Sequence, residues 1–151
     1  MPAYLVVIDE TEEARAALRF AARRAARTGS TVEIIAMIPP QDFVQWGAVQ
    51  AAMEEEARLR AEAKVLQASG AIIEEAGIRP SITVKQGDAV KEVAGILKER
   101  EDIAALVLGA AAEGGPGPLV AHFAGAVAGT LPCPVMIVPG NLSDETLDRL
   151  S

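Results

Sequence analysis

The sequence predicts an α/β domain in which a doubly wound parallel sheet carries helices on both faces. Five short apolar runs alternate with helical patterns along the 151 residues, and this alternation is typical of such a sheet. The first, fourth and fifth runs are almost continuously apolar, as strands are when both faces of a parallel sheet are covered. A Gly-rich stretch follows the fourth run and precedes a helical pattern. Loops in this position are the usual ligand sites of open α/β sheets, so it is the first candidate for a functional site.

Length and composition restrict both the architecture and the partners. The 151 residues suffice for one domain, which we place at residues 1–140, with a short polar tail at residues 141–151. A formal net charge of −7 argues against nucleic acid or an anionic membrane as a partner, and no apolar run is long enough for a membrane span. Cys133 is the one cysteine, which excludes an internal disulfide and a multi-cysteine metal site. We therefore expect a cytoplasmic protein without a bound metal.

The five apolar runs are assigned to strands in chain order. The third run alternates polar and apolar residues more than the others, so we expect it at an edge of the sheet. The predicted strands span Ala3–Asp9, Thr31–Met37, Ser81–Lys85, Ile103–Leu108 and Pro134–Val138.

The first helix is predicted from about Thr11 to Arg27. Alanine and leucine residues repeat at helical spacing and form an apolar stripe that would pack on the sheet. On another face, four arginines recur at every fourth residue. A basic row of this kind can bind nucleic acid, but it follows two glutamates in an acidic chain, so a solvated face is predicted. The row consists of Arg15, Arg19, Arg23 and Arg27.

The second helix is predicted from about Gln45 to Ala76. Phe43 and Trp46 stand at its start, where they either cover the mouth of a pocket or pack locally within the loop. Two arginines are expected to pair on the surface with glutamates one turn earlier, Arg58 with Glu54 and Arg60 with Glu56. An apolar stripe keeps the helical period and comprises Val49, Ala52, Leu59, Ala63, Leu66 and Ile73.

Two further helices and one short helical segment complete the pattern. Asp88 is suited to cap a third helix at Ala89–Arg100. A fourth is predicted at Pro118–Thr130, because proline favours the first helical position. Its small residues at four-residue spacing indicate close packing on the sheet. In the tail, Ser143 and Asp144 can begin one or two helical turns. The small residues are Ala121, Gly125 and Gly129.

The whole pattern resembles the universal stress protein family. The strand and helix order, an Asp ending the first strand and a Gly-Asp pair before the third helix accompany the segments LVVIDETEEARAAL and LPCPVMIVP. The resemblance covers about residues 1–140. It implies a five-stranded parallel sheet in the order 3-2-1-4-5 and a regulatory or stress-response binding module with an unidentified protein partner. It also implies a homodimer paired through the last strand, at Val135, Met136, Ile137 and Val138.

The resemblance also implies ATP or another adenine nucleotide as the ligand. ATP-binding members carry G-x2-G-x9-G-[ST] after the fourth strand, and Gly109 matches the first glycine. The second glycine falls on Ala112, and no Ser or Thr stands at the end of the motif, near His122. In the family, the residue at Asp9 and the backbone near Met37 hold the adenosine part of the ligand.

The chemistry of the Gly-rich loop argues against tight ATP binding. Gly114, Gly115 and Gly117 let the backbone approach a phosphate, but the two prolines of the loop remove N–H donors and Glu113 adds a negative charge. Residues 102–129 contain no Lys, Arg, Ser or Thr. We predict a binding module without tight ATP binding. The alternative is an adenine-nucleotide sensor, for ATP or AMP, that uses the modified loop. His122 would either donate to a phosphate or pack locally.

No catalytic residues are predicted. One histidine and one cysteine give no Ser/His/Asp or Cys/His arrangement, and the phosphate-binding motif GxxxxGK[ST] is absent. A phosphorelay receiver would need an Asp after the third strand and a Lys after the fifth, where Lys85 and Pro139 stand. A flavin mononucleotide site would need a hydroxyl-rich loop after the first strand, and this loop is acidic. Slow ATP hydrolysis is therefore the third hypothesis, after the two binding functions.

Overall fold

A five-stranded parallel sheet organises the chain. The computed structural model describes residues 2–9, 11–38 and 48–151, the side chains at positions 48, 50 and 68 excepted. Phe43 and Trp46, with their two expected roles, lie outside this part. The strands are β1 (Ala3–Ile8), β2 (Thr31–Ile38), β3 (Ser81–Gln86), β4 (Ile103–Ala110) and β5 (Val135–Pro139). Their order in the sheet is β3-β2-β1-β4-β5, which confirms the predicted fold class and strand order.

Helices cover both faces of the sheet. α1 (Glu12–Thr28) and α2 (Ala48–Ala76) pack on one face, and α3 (Ala89–Glu99) and α4 (Pro118–Phe123) pack on the other. A fifth helix, α5 (Asp144–Leu150), packs on α1. All six residues of β1 are buried, because this central strand has neighbouring strands on both edges and helices on both sides. In the described part of the chain, no helix is long and apolar enough to cross a membrane.

α1 begins and ends where the sequence predicts it. The Thr11 hydroxyl accepts a hydrogen bond from the Ala14 N–H at 3.2 Å and so caps the helix N-terminus. At the other end Gly29 adopts a φ of 67°, a left-handed conformation that closes a helix most easily with glycine. Ala17, Ala21, Ala22 and Ala25 are fully buried, and their small side chains allow α1 to approach the sheet closely.

β4 is longer than predicted, and this changes the environment of Gly109. The strand continues to Ala110, and Gly109 pairs with Val138 of β5 instead of lying in the loop. A Cβ at Gly109 would overlap the carbonyl oxygen of Glu13 in the first turn of α1. Gly140 faces the same residue. The two glycines therefore let the start of α1 rest directly on the backbone at this edge of the sheet.

The apolar stripe predicted for α2 has the right period, but most of it faces solvent. Val49, Leu59 and Leu66 are 58%, 56% and 42% exposed. The buried residues that pack against α1 and the sheet are Val65 and Ile72, and of the predicted stripe Ile73 packs against the same core. The helix carries apolar residues on two opposite faces, and periodicity alone does not indicate which of them meets the core.

α4 ends at Phe123, so the predicted helix to Thr130 is wrong in its second half. A series of turns and a short 3₁₀ helix at Ala128–Thr130 replace it. Glycines in a helix interior cost about 1 kcal/mol each relative to alanine, and this segment contains two of them. The close packing expected from its small residues fails at Gly129, where no atom lies within 4 Å of the position that a Cβ would occupy.

The arginine row of α1 is only in part the solvated face that the sequence predicts, because Arg15 and Arg27 are exposed but Arg19 is buried. The predicted helical turns at Ser143 and Asp144 are confirmed as α5, and this helix of the C-terminal tail packs on α1. Arg19 is only 7% exposed. It donates to both carboxylate oxygens of Asp148 at 2.8 Å. This arrangement requires a tertiary partner that lies 129 residues away in the chain.

The remaining arginines of the row complete the contact with α5. Arg15 donates to both oxygens of Asp144 at 3.1 and 3.3 Å, and Arg23 lies 2.6 Å from Asp148. Arg27 donates to the Ser151 carbonyl at 2.7 Å. Hydrogen bonds from the arginines lower the pKa of Asp144 and of Asp148 below the ordinary value. The ion pairs with the arginines and the burial of Leu147 thus hold α5 against α1.

Candidate functional site

A cavity of about 550 Å³ opens at the carboxyl ends of β1 and β2, beside the turn that follows β3. This is the edge of an open α/β sheet where ligands bind most often. α2 forms the opposite wall. The strand ends and the turn contribute Asp9, Thr11, Met37, Ile38 and Gly87 to the lining, and α2 contributes Ala57, Arg60, Ala61, Lys64 and Val65.

Asp9 is held in place by the turn between β1 and α1. Its Oδ1 accepts a hydrogen bond from the Thr11 N–H at 2.9 Å and a second from the Thr11 hydroxyl. Such a turn orients a carboxylate, because the side chain bonds to the backbone two residues further on. The Asp9 side chain is exposed, so the carboxylate is accessible from the cavity.

Met37 and Ile38 end β2 and are both buried. With Ala57, Ala61 and Val65 of the facing helix they make most of the cavity wall apolar. The structure therefore brings Asp9 and Met37 together in one cavity, as the resemblance described above implies. An apolar slot with one oriented carboxylate suits a flat, uncharged ring system that carries hydroxyl groups.

Two cations of α2 were missed as candidate site residues. Arg60 and Lys64 lie one helical turn apart and both line the cavity. Of the two predicted surface pairs, that of Arg60 with Glu56 is confirmed at 3.1 Å, but this pair does not remove Arg60 from the cavity wall. The period of α2 offered a partial signal, although it did not show which face of the helix meets the sheet. Ala57, Ala61 and Val65 repeat at four-residue spacing as the inward face, and the two cations flank that face.

The Gly-rich loop at residues 111–117 lies outside this cavity. Gly114, Gly115 and Gly117 have positive φ values of 75°, 90° and 101°, which is the backbone freedom that the sequence predicts for them. The Ala111 N–H donates to the Pro116 carbonyl at 3.3 Å and is therefore engaged within the loop. Glu113 is exposed. The role of these three glycines and of Gly109 as nucleotide ligands stays a prediction.

His122 is also outside the cavity. It is exposed near the end of α4, and its ring packs edge-to-face on Phe123 with 4.8 Å between ring centroids. This contact accords with the local packing role that the sequence left open. A role for His122 at a phosphate stays a prediction.

Cys133 lines a second cavity of about 420 Å³, between the end of α3 and the segment that enters β5. Burial raises the pKa of its thiol, so the neutral form is favoured and a nucleophilic role is not supported. In residues 2–9, 11–38 and 48–151, no group of three or more His, Cys, Asp or Glu side chains is placed to hold a metal ion.

Comparison with known proteins places this architecture in a described family. A family model for the universal stress protein family matches residues 3–139. No curated protein sequence matches the chain significantly.

Solved structures match the fold at low sequence identity. The universal stress protein UspA from Lactobacillus plantarum has a TM-score of 0.68 and 17% identity, over 91% of this chain and 97% of that chain. A universal stress protein from Archaeoglobus fulgidus in complex with dAMP has a TM-score of 0.56 and 20% identity, over 91% and 97%. A universal stress protein family protein from Arabidopsis thaliana with AMP bound has a TM-score of 0.57 and 15% identity, over 97% and 95%.

Proposed function

The chain belongs to the universal stress protein family, and on this premise we propose that it is a homodimeric regulatory module that binds an adenine nucleotide of low charge, without tight ATP binding. The observation that carries the proposal is the cavity at the carboxyl ends of β1 and β2. Its volume of about 550 Å³ lies within the range typical of small-molecule sites.

The lining of the cavity fits an adenosine group. The buried Met37 and Ile38 and the apolar side of α2 offer surfaces for a planar base. Asp9 supplies an oriented carboxylate, which is the usual acceptor for ribose hydroxyl groups. Two proteins of the same fold are described with AMP and with dAMP bound, which supports a mononucleotide as the ligand.

The Gly-rich loop does not fit a triphosphate in the same way. Pro116 and Pro118 lack N–H donors, the Ala111 N–H is engaged within the loop, and Glu113 would lie beside the phosphates. α4 has six residues, so its dipole is small. For these reasons tight ATP binding and ATP hydrolysis are not part of the proposed function.

The dimer of the proposal uses the free edge of β5. Among the described strands, β5 has β4 as its one neighbour, so its outer edge carries unpaired backbone groups. Ile137 is 44% exposed there, and Val135 and Met136 are partly buried. Val138 is buried and would contribute through its backbone. The proposal also includes a cytoplasmic location and a protein partner that distinguishes the ligand-bound form of the module from the ligand-free form.

The proposal is tested by calorimetric titration of the protein with adenosine, AMP, ADP and ATP. We expect AMP to bind more tightly than ATP, and Asp9→Ala to weaken the binding of adenosine and AMP about 10- to 100-fold, because a charged hydrogen-bond acceptor is removed. Asp88→Ala is the matched control. Asp88 is also an exposed carboxylate that bonds to an N–H two residues on, that of Val90, but it is not part of the cavity lining.

Two results would overturn the proposed function. One is the absence of binding by every adenine compound to protein that is folded by circular dichroism. The other is an adenosine affinity that Asp9→Ala and Asp88→Ala leave equally unchanged.

A further inference from the structure

We propose that Arg60 and Lys64 of α2 bind the phosphate of the ligand, so that the cavity selects a nucleoside monophosphate and directs its phosphate toward α2 and away from the Gly-rich loop. This inference rests on the proposed function and adds the position of the phosphate and the source of charge selectivity. It assigns a binding role to two side chains of the helix that covers the sheet edge.

The charges of the cavity match one phosphate group. Arg60 and Lys64 contribute two positive charges, and Asp9 contributes one negative charge at the opposite wall. Asp88 follows the lining residue Gly87 but is not part of the lining. Its carboxylate caps α3 by accepting a hydrogen bond from the Val90 N–H. A phosphate monoester carries a charge of about −1.5 to −2 at neutral pH. Two cations therefore neutralise one phosphate, while Asp9 is left for the uncharged part of the ligand.

The two side chains supply complementary kinds of contact. A guanidinium group can hold two phosphate oxygens at once through its planar fork, and an ammonium group acts as a compact point charge. Residues four apart on a helix are neighbours on its surface, so both groups can reach one phosphate. This pairing of donors is absent from the Gly-rich loop, since residues 102–129 contain neither Lys nor Arg.

The existing contact of Arg60 leaves its guanidinium group able to exchange partners. The side chains of Arg60 and Glu56 are 65% and 73% exposed, so their ion pair is a weak, solvent-screened surface pair. Lys64 already takes part in an interaction within the chain, which the phosphate would share or replace. A dianionic phosphate at the cavity offers Arg60 a stronger partner than the exposed Glu56 carboxylate.

A triphosphate gains no further ionic contact here beyond those that a monophosphate makes. Its additional charge would extend past the two cations of α2, and in the described part of the cavity wall no third Lys or Arg is present to meet it. The selectivity of the cavity for a monophosphate over a triphosphate thus follows from the number of cations.

The test compares AMP and adenosine as calorimetric ligands for the full chain. We expect Arg60→Ala and Lys64→Ala each to lower the ratio of the AMP affinity to the adenosine affinity about tenfold or more, because only AMP carries the phosphate. Arg58→Ala is the matched control. Arg58 lies on the same helix, is exposed, pairs with Glu55 at 3.9 Å and is not part of the cavity lining. It should leave both affinities unchanged, and Gly115→Ala in the loop should leave the ratio of the two affinities unchanged.

The outcomes separate this inference from the proposed function. If AMP and adenosine bind, but Arg60→Ala and Lys64→Ala leave the AMP affinity unchanged, the phosphate site is wrong and the proposed function stands. A loss of AMP affinity in Gly115→Ala alone would contradict the inference and indicate that the phosphate binds at the Gly-rich loop. If neither compound binds to folded protein, both the proposed function and this inference fail. Thermal unfolding of each variant verifies that the comparison is made on folded protein.

Discussion

Gly109 and Gly115 show that glycine meets two different needs in this chain. Gly115 has a φ of 90° in an open loop, with no atom near the position of a Cβ, so its value is conformational. Gly109 has an ordinary strand conformation. Glycine is needed there for lack of space, because the backbone of Glu13 occupies the place of a side chain. Of the two, Gly109 is therefore the residue that the packing of α1 on the sheet requires.

Gly109→Ala is expected to lower the free energy of unfolding by about 1–3 kcal/mol, since overpacking at a backbone contact forces α1 or β4 to shift. Urea unfolding followed by circular dichroism measures this change. Gly129→Ala is the control, because that glycine has free space around its Cβ position and no positive φ. Its stability should stay within about 0.5 kcal/mol of the parent protein. Equal stabilities for the two variants would contradict the packing role of Gly109.

α5 is held along α1 by ion pairs and by hydrogen bonds to its main-chain carbonyl groups. Its two aspartates meet three arginines of the row, and Arg27 holds the carbonyl groups of Asp148 and Ser151. Arg19 is buried under this contact, so its positive charge is compensated by the carboxylates of Asp148 and of Glu75, the latter at 3.0 Å. Removing one partner of a largely buried cation leaves that cation poorly compensated.

Asp148→Asn is expected to lower the free energy of unfolding by about 1–3 kcal/mol at pH 7, because Arg19 loses a charged hydrogen-bond partner. The effect depends on pH with a definite sign. The pKa of Asp148 is lower in the folded protein than in the unfolded chain, so the stabilisation is complete above the unfolded value of about 3.9 and is lost as the pH falls further.

Urea unfolding at pH 7, 5, 4 and 3 checks this expectation. The difference in stability between the parent and Asp148→Asn should be constant from pH 7 to 5 and should shrink below pH 4. Glu145→Gln removes an exposed carboxylate of the same helix and serves as the control. A difference that stays constant down to pH 3 would contradict the ionic role of Asp148.

The elements differ in how far the sequence could predict them. The strands and α1 were predictable, because their apolar pattern and caps are local and agree with the fold. The orientation of α2 was not, since Leu59 and Val65 lie on opposite apolar faces and the choice between them is made by α1. The resemblance to the family implied that Asp9 and Met37 hold one ligand, whereas the orientation of α2, and with it the place of Arg60 and Lys64 in the cavity, was not predictable. The burial of Arg19 depends on a helix at the far end of the chain.

At the scale of the whole molecule, the two edges of the sheet differ. β3 at one edge is polar in part and largely accessible, as its alternating sequence predicts. β5 at the other edge exposes Ile137 beside unpaired backbone groups. An exposed apolar edge strand is a site of association between chains, and the proposed dimer covers this edge.

Ile137→Lys is expected to convert the proposed dimer into a monomer, because a charge on the edge of β5 opposes pairing with a second strand. Light scattering coupled to size-exclusion chromatography measures the mass of both species. Leu150→Lys is the control, since Leu150 is 54% exposed on α5, away from β5. A parent protein that is monomeric at all concentrations, or a dimer that survives Ile137→Lys, would refute pairing through this edge.

The central position of β1 also has a consequence for the synthesis of the protein. One edge of β1 pairs with β2, which follows it closely, but the other pairs Ala3 with Ile103 near the start of β4. At typical translation rates of 5–20 residues per second, the second edge stays without its partner for about 5–20 s after β1 leaves the ribosome. During that interval the most apolar strand of the sheet is half paired, so the nascent chain is most open to aggregation and to chaperone binding before β4 is made.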